Sequence, residues 1–244
     1  MSLDSPPTPD SSCCDDRETF VIGDVHGCAD ELQDLLLRSE FDPTRHRGIL
    51  AGDLYTRGPD AARVRQLAQE FQLEAIVGNH EERLKRRINR RRREERRAPR
   101  ATDRVFDAMG SDLDAFEAEL RSMPYSLASN HGDSKHPWRV IHAGIKPTHG
   151  FNPKDHKTLT NIRYWPPGSE SRWHEFYEGE ELLIFGHDAM GGLVERRDAN
   201  GRPLAIGLDT ACVYGGRLTG YFIERDAFVS VPARRAWWPI TGID

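Results

Sequence analysis

Cysteine is scarce in this chain, with four in 244 residues. Cys13 and Cys14 adjoin in a polar stretch, Cys28 follows a glycine-flanked motif, and Cys212 lies far downstream. No spacing matches a zinc knuckle or a disulfide framework, so a reducing cytoplasm is the expected compartment. Long apolar runs are missing too. No segment has the roughly 20 apolar residues that a membrane helix needs. Residues 1–7 lack both the basic start and the apolar stretch of a secretory signal. Nor is there an excess of positive charge: the net charge is −5, and the overall field asks for neither nucleic acid nor membrane. The apolar fraction is a low 37% and the charged fraction a high 30%, as in a soluble domain with much surface decoration. The length suits one substantial core. Residues 18–244 are expected to form a single domain behind a Ser-, Pro- and Asp-rich tail, 1–17, expected to be disordered.

What is present is a series of polar motifs in order. They are Gly23-Asp24-Val25-His26-Gly27, Gly52-Asp53-Leu54-Tyr55-Thr56-Arg57-Gly58, Gly78-Asn79-His80-Glu81, His142-Ala143-Gly144 and Gly186-His187. Nearly every one follows an apolar, β-rich run, so each is expected where a strand ends. Strands are predicted at 19–22, 48–51, 73–77, 139–141, 182–185, 204–208, 218–223 and 227–231. Helical spacing predicts helices over 29–38, 61–71 and from Glu81 onward to Pro99. A cap of one or two helices, broken at Gly110, is predicted over 102–120. The opening strand–helix–strand–helix–strand order implies parallel pairing with right-handed crossovers. The long, aromatic-rich segment 146–181 reads as an ordered loop region facing substrate, and 81–121 as a helical cap.

Asp, His and Asn delivered from five strand ends make the ligand set of a two-metal hydrolase. Asp24 and His26, one residue apart, reach one metal. Asp53 is the natural bridge. Asn79, His142 and His187 serve the second. Manganese is the expected metal, although zinc, iron and magnesium tolerate the same donors.

The series resembles the phosphoprotein-phosphatase branch of the calcineurin-like metallophosphoesterases over roughly residues 20–222. The resemblance implies an αββα fold: two mixed β-sheets packed face to face and flanked by helices, with the metals at one edge. It also implies in-line attack on phosphorus by a metal-bridging hydroxide, His80 as general acid and Arg57 holding phosphate oxygens, with Asn79 beside them. Gly186-His187 and the run from Gly207 to Gly220 resemble the bacterial diadenosine-tetraphosphatase and PrpE-like subgroup most.

One departure bears on substrate. Protein phosphatases of the family carry Asp at position 56, where it orients the catalytic histidine; this chain has Thr56. Either another acid such as Glu81 takes over, or the enzyme favours substrates with good leaving groups. A second phosphate-binding arginine falls on Arg163 or Arg172. Tyr214 either projects over the metals or packs in a turn. The run Arg86 to Arg97 either gathers polyanions such as polyphosphate or RNA, or is a solvated helix face. The expected substrates are therefore dinucleoside polyphosphates first, phosphoproteins (Ser/Thr, or Tyr) second, and polyphosphate or RNA 5′ ends third. A non-catalytic binding module is the contrasting class, and it would require damaged ligands.

Overall fold

A computed structural model describes residues 17–91, 103–129 and 136–239. Residues 1–16 of the tail expected to be disordered, and Arg92–Arg97 of the Arg86–Arg97 run, lie outside the described residues. Among those described, ten strands form two five-stranded mixed sheets. The first has the order β10 (Ala227–Pro232), β9 (Arg217–Phe222), β1 (Glu18–Ile22), β2 (His46–Leu50), β3 (Glu74–Ala75). The three N-terminal strands run parallel, β9 pairs antiparallel with β1, and β10 pairs antiparallel with β9. The second has the order β4 (Ser126–Ala128), β5 (Trp138–Ile141), β6 (Leu182–Phe185), β8 (Pro203–Gly207), β7 (Val194–Arg197), with β5, β6 and β8 parallel.

The period-two alternation of each strand assigns its two faces. In β1, Phe20 and Ile22 join the helices α1 (Ala29–Arg38) and α2 (Ala61–Glu70) in one apolar layer. Val21 points the other way and meets Val140, Ile184 and Ile206 of the second sheet. In β6, Leu182 and Ile184 face that inter-sheet core, while Leu183 and Phe185 face outward onto Leu159, Trp173 and Tyr177. The result is the expected layering of helix, sheet, sheet and outer cladding.

Several expectations shift. The third strand, expected over 73–77, is only Glu74–Ala75. Beyond it Ile76 N–H still bonds the Leu50 carbonyl, but Val77 N–H turns to the Pro124 carbonyl, and helix α3 (Asn79–Arg91) begins at once. The cap comprises α4 (Asp103–Met109), a 3₁₀ turn at Gly110–Asp112 and α5 (Leu113–Ser122), with Gly110 at φ +51°. Arg65 of α2 holds it by Nε and Nη2 bonds to Glu119 of 2.8 and 2.6 Å. Strands β4 and β7 were not anticipated. Both are edge strands, short or charge-rich as edges must be, so neither shows an apolar run.

Segment 146–181 holds α6 (His156–Asn161), capped by Asp155, and a 3₁₀ turn at Trp173–Phe176. It packs Leu159, Trp173 and Tyr177 onto the second sheet, which makes much of it outer cladding. Trp173 is 1% exposed, and its Nε1–H donates 3.0 Å to the carbonyl of Ala143, next to His142. Trp173→Ala is expected to cost about 3–5 kcal/mol through the cavity and the orphaned carbonyl. Urea unfolding of the two proteins checks this.

Candidate metal centre and active site

All the motif residues converge at the ends of β1, β2, β3, β5 and β6, on one edge of the sandwich. Ligand atoms of His26, Asp53 and His80 lie within 4.8 Å of one another, and so do those of Asp53, His142 and His187. Asp53 is common to both groups. His26 Nε2 is 3.6 Å from Asp53 Oδ2, and His142 Nε2 is 3.4 Å from Asp53 Oδ1. Asn79 Oδ1 lies 3.3 Å from His142 Nε2. Asp24 stands alongside, both its oxygens accepting from His187 N–H at 3.1 Å.

The backbone is strained to achieve this. His26, Asp53, Arg57 and His187 all have positive φ, between 49° and 73°, a region that costs a non-glycine residue of order 1 kcal/mol or more. Glycine opens the space between the loops. A Cβ on Gly78 would stand 2.2 Å from Asp53 Oδ1, and one on Gly186 would stand 1.9 Å from Asp24 Oδ1. Gly78 is therefore needed for close approach rather than for a left-handed turn.

The donor set fits divalent metal ions. His142 Nδ1 lies 2.8 Å from the Ala51 carbonyl and donates to it, so Nε2 carries a lone pair. That lone pair faces Asp53 and Asn79 oxygens, which are also acceptors. His187 Nε2 is sealed from solvent with no hydrogen-bond partner. Buried acceptors turned on one another are what a cation reconciles. The electrostatics agree. Burial pushes the Asp53 carboxyl up to about 7 and that of Asp209 up to about 6. Burial, then Asp209 and Asp53, push Asp24 well up. Burial pushes His26, His80, His142 and His187 down, which leaves them neutral.

Glu81 does not orient His80. Its carboxylate accepts from the backbone N–H groups of Asp53 (2.7 Å), Leu54 (2.9 Å) and Gly78 (3.0 Å). His80 Nδ1 instead meets the Thr56 hydroxyl at 2.5 Å. His80 N–H donates 3.0 Å to Asp53 Oδ1, which ties the two motifs together.

A family profile of calcineurin-like phosphoesterases matches residues 19–191. The chain belongs to that family. It is a metal-dependent phosphohydrolase. It is 28% identical to the bis(5′-nucleosyl)-tetraphosphatase PrpE [asymmetrical] of Oceanobacillus iheyensis, covering 88% of this chain and 92% of the relative. It is likewise 28% identical to the symmetrical bis(5′-nucleosyl)-tetraphosphatase of Edwardsiella ictaluri, covering 89% and 97%. A crystal structure presented as a candidate diadenosine tetraphosphatase superposes with a TM-score of 0.73 at 27% identity, covering 90% of this chain and 95% of the other.

Around the metallophosphoesterase centre stand half-buried arginines. Arg57 Nη1 is 3.4 Å from His26 Nε2, and its guanidinium lies 5.5 Å from the Tyr214 ring centroid. Tyr214 therefore stacks on Arg57, and its backbone forms a bridge with Ala236. Arg172 is engaged by Asp188 at 2.6 Å and sits 5.6 Å from the Tyr164 ring. Arg163, 3.8 Å from Asp188, acts electrostatically on Asp53, His142 and His187. Two site residues escaped the sequence reading. Arg83 Nη1 lies 3.4 Å from His80 Nε2, three residues on along the same helix face. Asp209 arrives from the end of β8, the same strand-end pattern as the other motifs. Arg87 of the basic helix is committed to Asp103 at 2.9 Å. Among the described residues, no helix is long and apolar enough to cross a membrane.

A carboxylate with a raised pKa holds a proton at pH 6 and releases it by pH 8, and metal must displace that proton. Uptake of Mn²⁺ by the stripped enzyme is therefore expected to strengthen as pH rises from 6 to 8, with proton release at the lower end. The neutral imidazoles add no competition. Calorimetry in two buffers of different ionisation enthalpy measures the protons released.

Proposed function

We propose that this metallophosphoesterase hydrolyses phosphoanhydride bonds of dinucleoside polyphosphates, with diadenosine tetraphosphate as the reference substrate. The observation that carries this reading is the contact between Thr56 Oγ1 and His80 Nδ1. A hydroxyl cannot hold an imidazolium as a carboxylate does, and burial already pushes His80 down. A Thr56 O–H that donates to Nδ1 allows the neutral tautomer with its proton on Nε2, toward the site, whereas a carboxylate there could only accept from Nδ1. A neutral imidazole is a weak acid. It suits a nucleotide leaving group, stable as an anion, better than a serine alkoxide that must be protonated as it departs. The names of the relatives agree with this reading.

In the same reading Asp24 and His26 hold one metal and Asn79, His142 and His187 the other, with Asp53 between them. When bound, the metal pair supplies Lewis-acid polarisation of the phosphoryl group and an activated nucleophile. Arg57 and Arg163 hold phosphate oxygens, a task suited to the planar guanidinium fork. Tyr214 keeps Arg57 in place from beneath. Manganese is our assignment for the metal; the cluster offers nitrogen and oxygen donors and no thiolate, a set that manganese accepts. Cytoplasmic residence belongs to the same reading, supported by the free state of Cys28 and Cys212.

The test is product analysis with the manganese-loaded enzyme. Diadenosine tetraphosphate, p-nitrophenyl phosphate and a phosphoserine peptide are compared side by side. Preference for the dinucleotide supports the reading, and its products, two ADP or AMP with ATP, show where the chain is cut. Preference for the peptide refutes it. Asp53→Asn is expected to abolish turnover while leaving the circular-dichroism melt nearly unchanged. Survival of activity in that variant removes Asp53 from the centre.

Thr56 gives a sharper test. Thr56→Val is expected to lower kcat for the dinucleotide about 10–100-fold, by freeing the His80 ring. Thr56→Asp is expected to raise the His80 pKa and shift relative activity toward the phosphopeptide. An unchanged substrate ratio in Thr56→Asp overturns the leaving-group argument.

A further inference from the structure

Cys28, Glu31 and Cys212 form a second cluster, close in sequence to His26 and Asp209 and unused by the chemistry above. One ligand atom from each lies within 4.8 Å of the other two. All three are sealed, at 0%, 0% and 1% exposure. Cys28 precedes the first turn of α1, Glu31 lies within that turn, and Cys212 comes from the loop after Asp209. The cluster thus joins the N-terminus of one helix to a loop from the other end of the chain.

Glu31 supplies the independent observation. Its Oε1 accepts from Arg234 N–H (2.9 Å) and Trp237 Nε1–H (3.0 Å). Its Oε2 is buried with no hydrogen-bond partner. The Arg234 guanidinium does not neutralise the carboxyl by contact, because it bonds Asp30 at 2.8 Å and Asp34 at 3.1 Å. An orphaned carboxyl oxygen inside an apolar layer is costly unless something charged or hydrogen-bonding meets it. Its other oxygen is held rigidly, as oxygens of metal-ligating carboxylates are. Beside it stand two sulfurs.

We propose that Cys28, Glu31 and Cys212 bind a thiophilic divalent cation of the zinc type, a structural site separate from the catalytic pair. Cysteine sulfur and glutamate oxygen are each zinc ligands, and three protein donors leave a fourth position open. In a tetrahedral zinc site the ligand atoms stand about 3.5–3.8 Å apart, inside the 4.8 Å that bounds the separations here. The ion would cross-link α1 to the 209–216 loop. The backbone N–H groups of Trp237 and Trp238, which bond the Val213 carbonyl at 2.9 and 3.0 Å, close the same region from the C-terminal side.

Cobalt(II) titration of the full chain tests this, in a Cys13→Ser/Cys14→Ser background that removes the other two thiols. The catalytic donors include no sulfur, so a near-ultraviolet thiolate-to-cobalt charge-transfer band reports only on the proposed site. We expect the saturated band to correspond to one thiolate-bound cobalt per chain, over and above any cobalt taken by the catalytic donors, to be bleached by zinc, and to vanish in Cys28→Ser and in Cys212→Ser. Glu31→Gln should weaken cobalt binding at least tenfold while keeping the band. No band in the reduced, folded background protein overturns the proposal, as does a band that survives both serine substitutions. The readout needs no turnover, so it is independent of the proposed substrate.

Discussion

The Glu81 carboxylate is the tie on which the site depends. It gathers three backbone N–H groups, from Asp53, Leu54 and Gly78. Two belong to the turn after β2 and one to the turn before α3. Neither turn has a regular ladder to hold it, and β3 ends two residues after it begins. With Glu81 in place, Asp53 lies directly against Asn79 and His80, and its own Oδ1 caps His80 N–H. The glutamate is fully buried, and burial pushes it up to about 7. What offsets that desolvation is the set of N–H groups aimed at it. Its place in the Asn-His-Glu motif is thus architectural: it sets the distance between Asp53 and His80.

From that tie the rest of the centre follows as a problem in desolvation. Asp24, Asp53 and Asp209 are drawn together with four imidazoles beneath almost no solvent. Burial drives the carboxyls up and the imidazoles down, so the metal-free cluster minimises charge of both signs. A site in that condition is complementary to small dications, which restore the carboxylates and use the imidazole lone pairs. The same burial removes water that would otherwise compete for the phosphoryl group. Left-handed backbone at His26, Asp53, Arg57 and His187 is the conformational cost of aiming these side chains inward from strand ends.

Much of this was legible in the sequence, because strand ends announce themselves by a change from apolar to polar residues. The motif residues and the helices over 29–38 and 61–70 emerge from that pattern. So does the αββα layering, once the resemblance is added. Less legible was anything determined by tertiary contact. Strand β7, Val194-Glu195-Arg196-Arg197, has no apolar run because an edge strand needs none. Segment 146–181 looks polar because its packing rests on a few aromatic residues, Trp173 foremost. Asp209 was in view but lacked a flanking histidine or asparagine to mark it. Arg83 was lost among the other arginines of its helix, where only its position one turn from His80 distinguishes it. Cys28 and Cys212 could not be paired, since nothing local relates two cysteines at opposite ends of a chain.

In the proposed function, Thr56 is the local residue that makes this shared centre selective. The metal-ligating constellation reads a phosphoryl group and little else, so discrimination has to come from the departing oxygen or from groups around the rim. A threonine hydroxyl can either donate to or accept from His80 Nδ1, whereas an aspartate can only accept from it. The hydroxyl therefore permits the tautomer that carries its proton on Nε2 without asking the ring to be charged. It also adds no negative charge to a cluster where Asp53, Asp24 and Asp209 already repel one another. A carboxylate at position 56 would bring a further anion against His26 and His80, and the ring between them would become a stronger electrostatic partner for that anion. The threonine keeps the acid weak and the centre less anionic. Both effects favour a polyphosphate chain, which brings its own charge to the site and leaves without needing a strong acid.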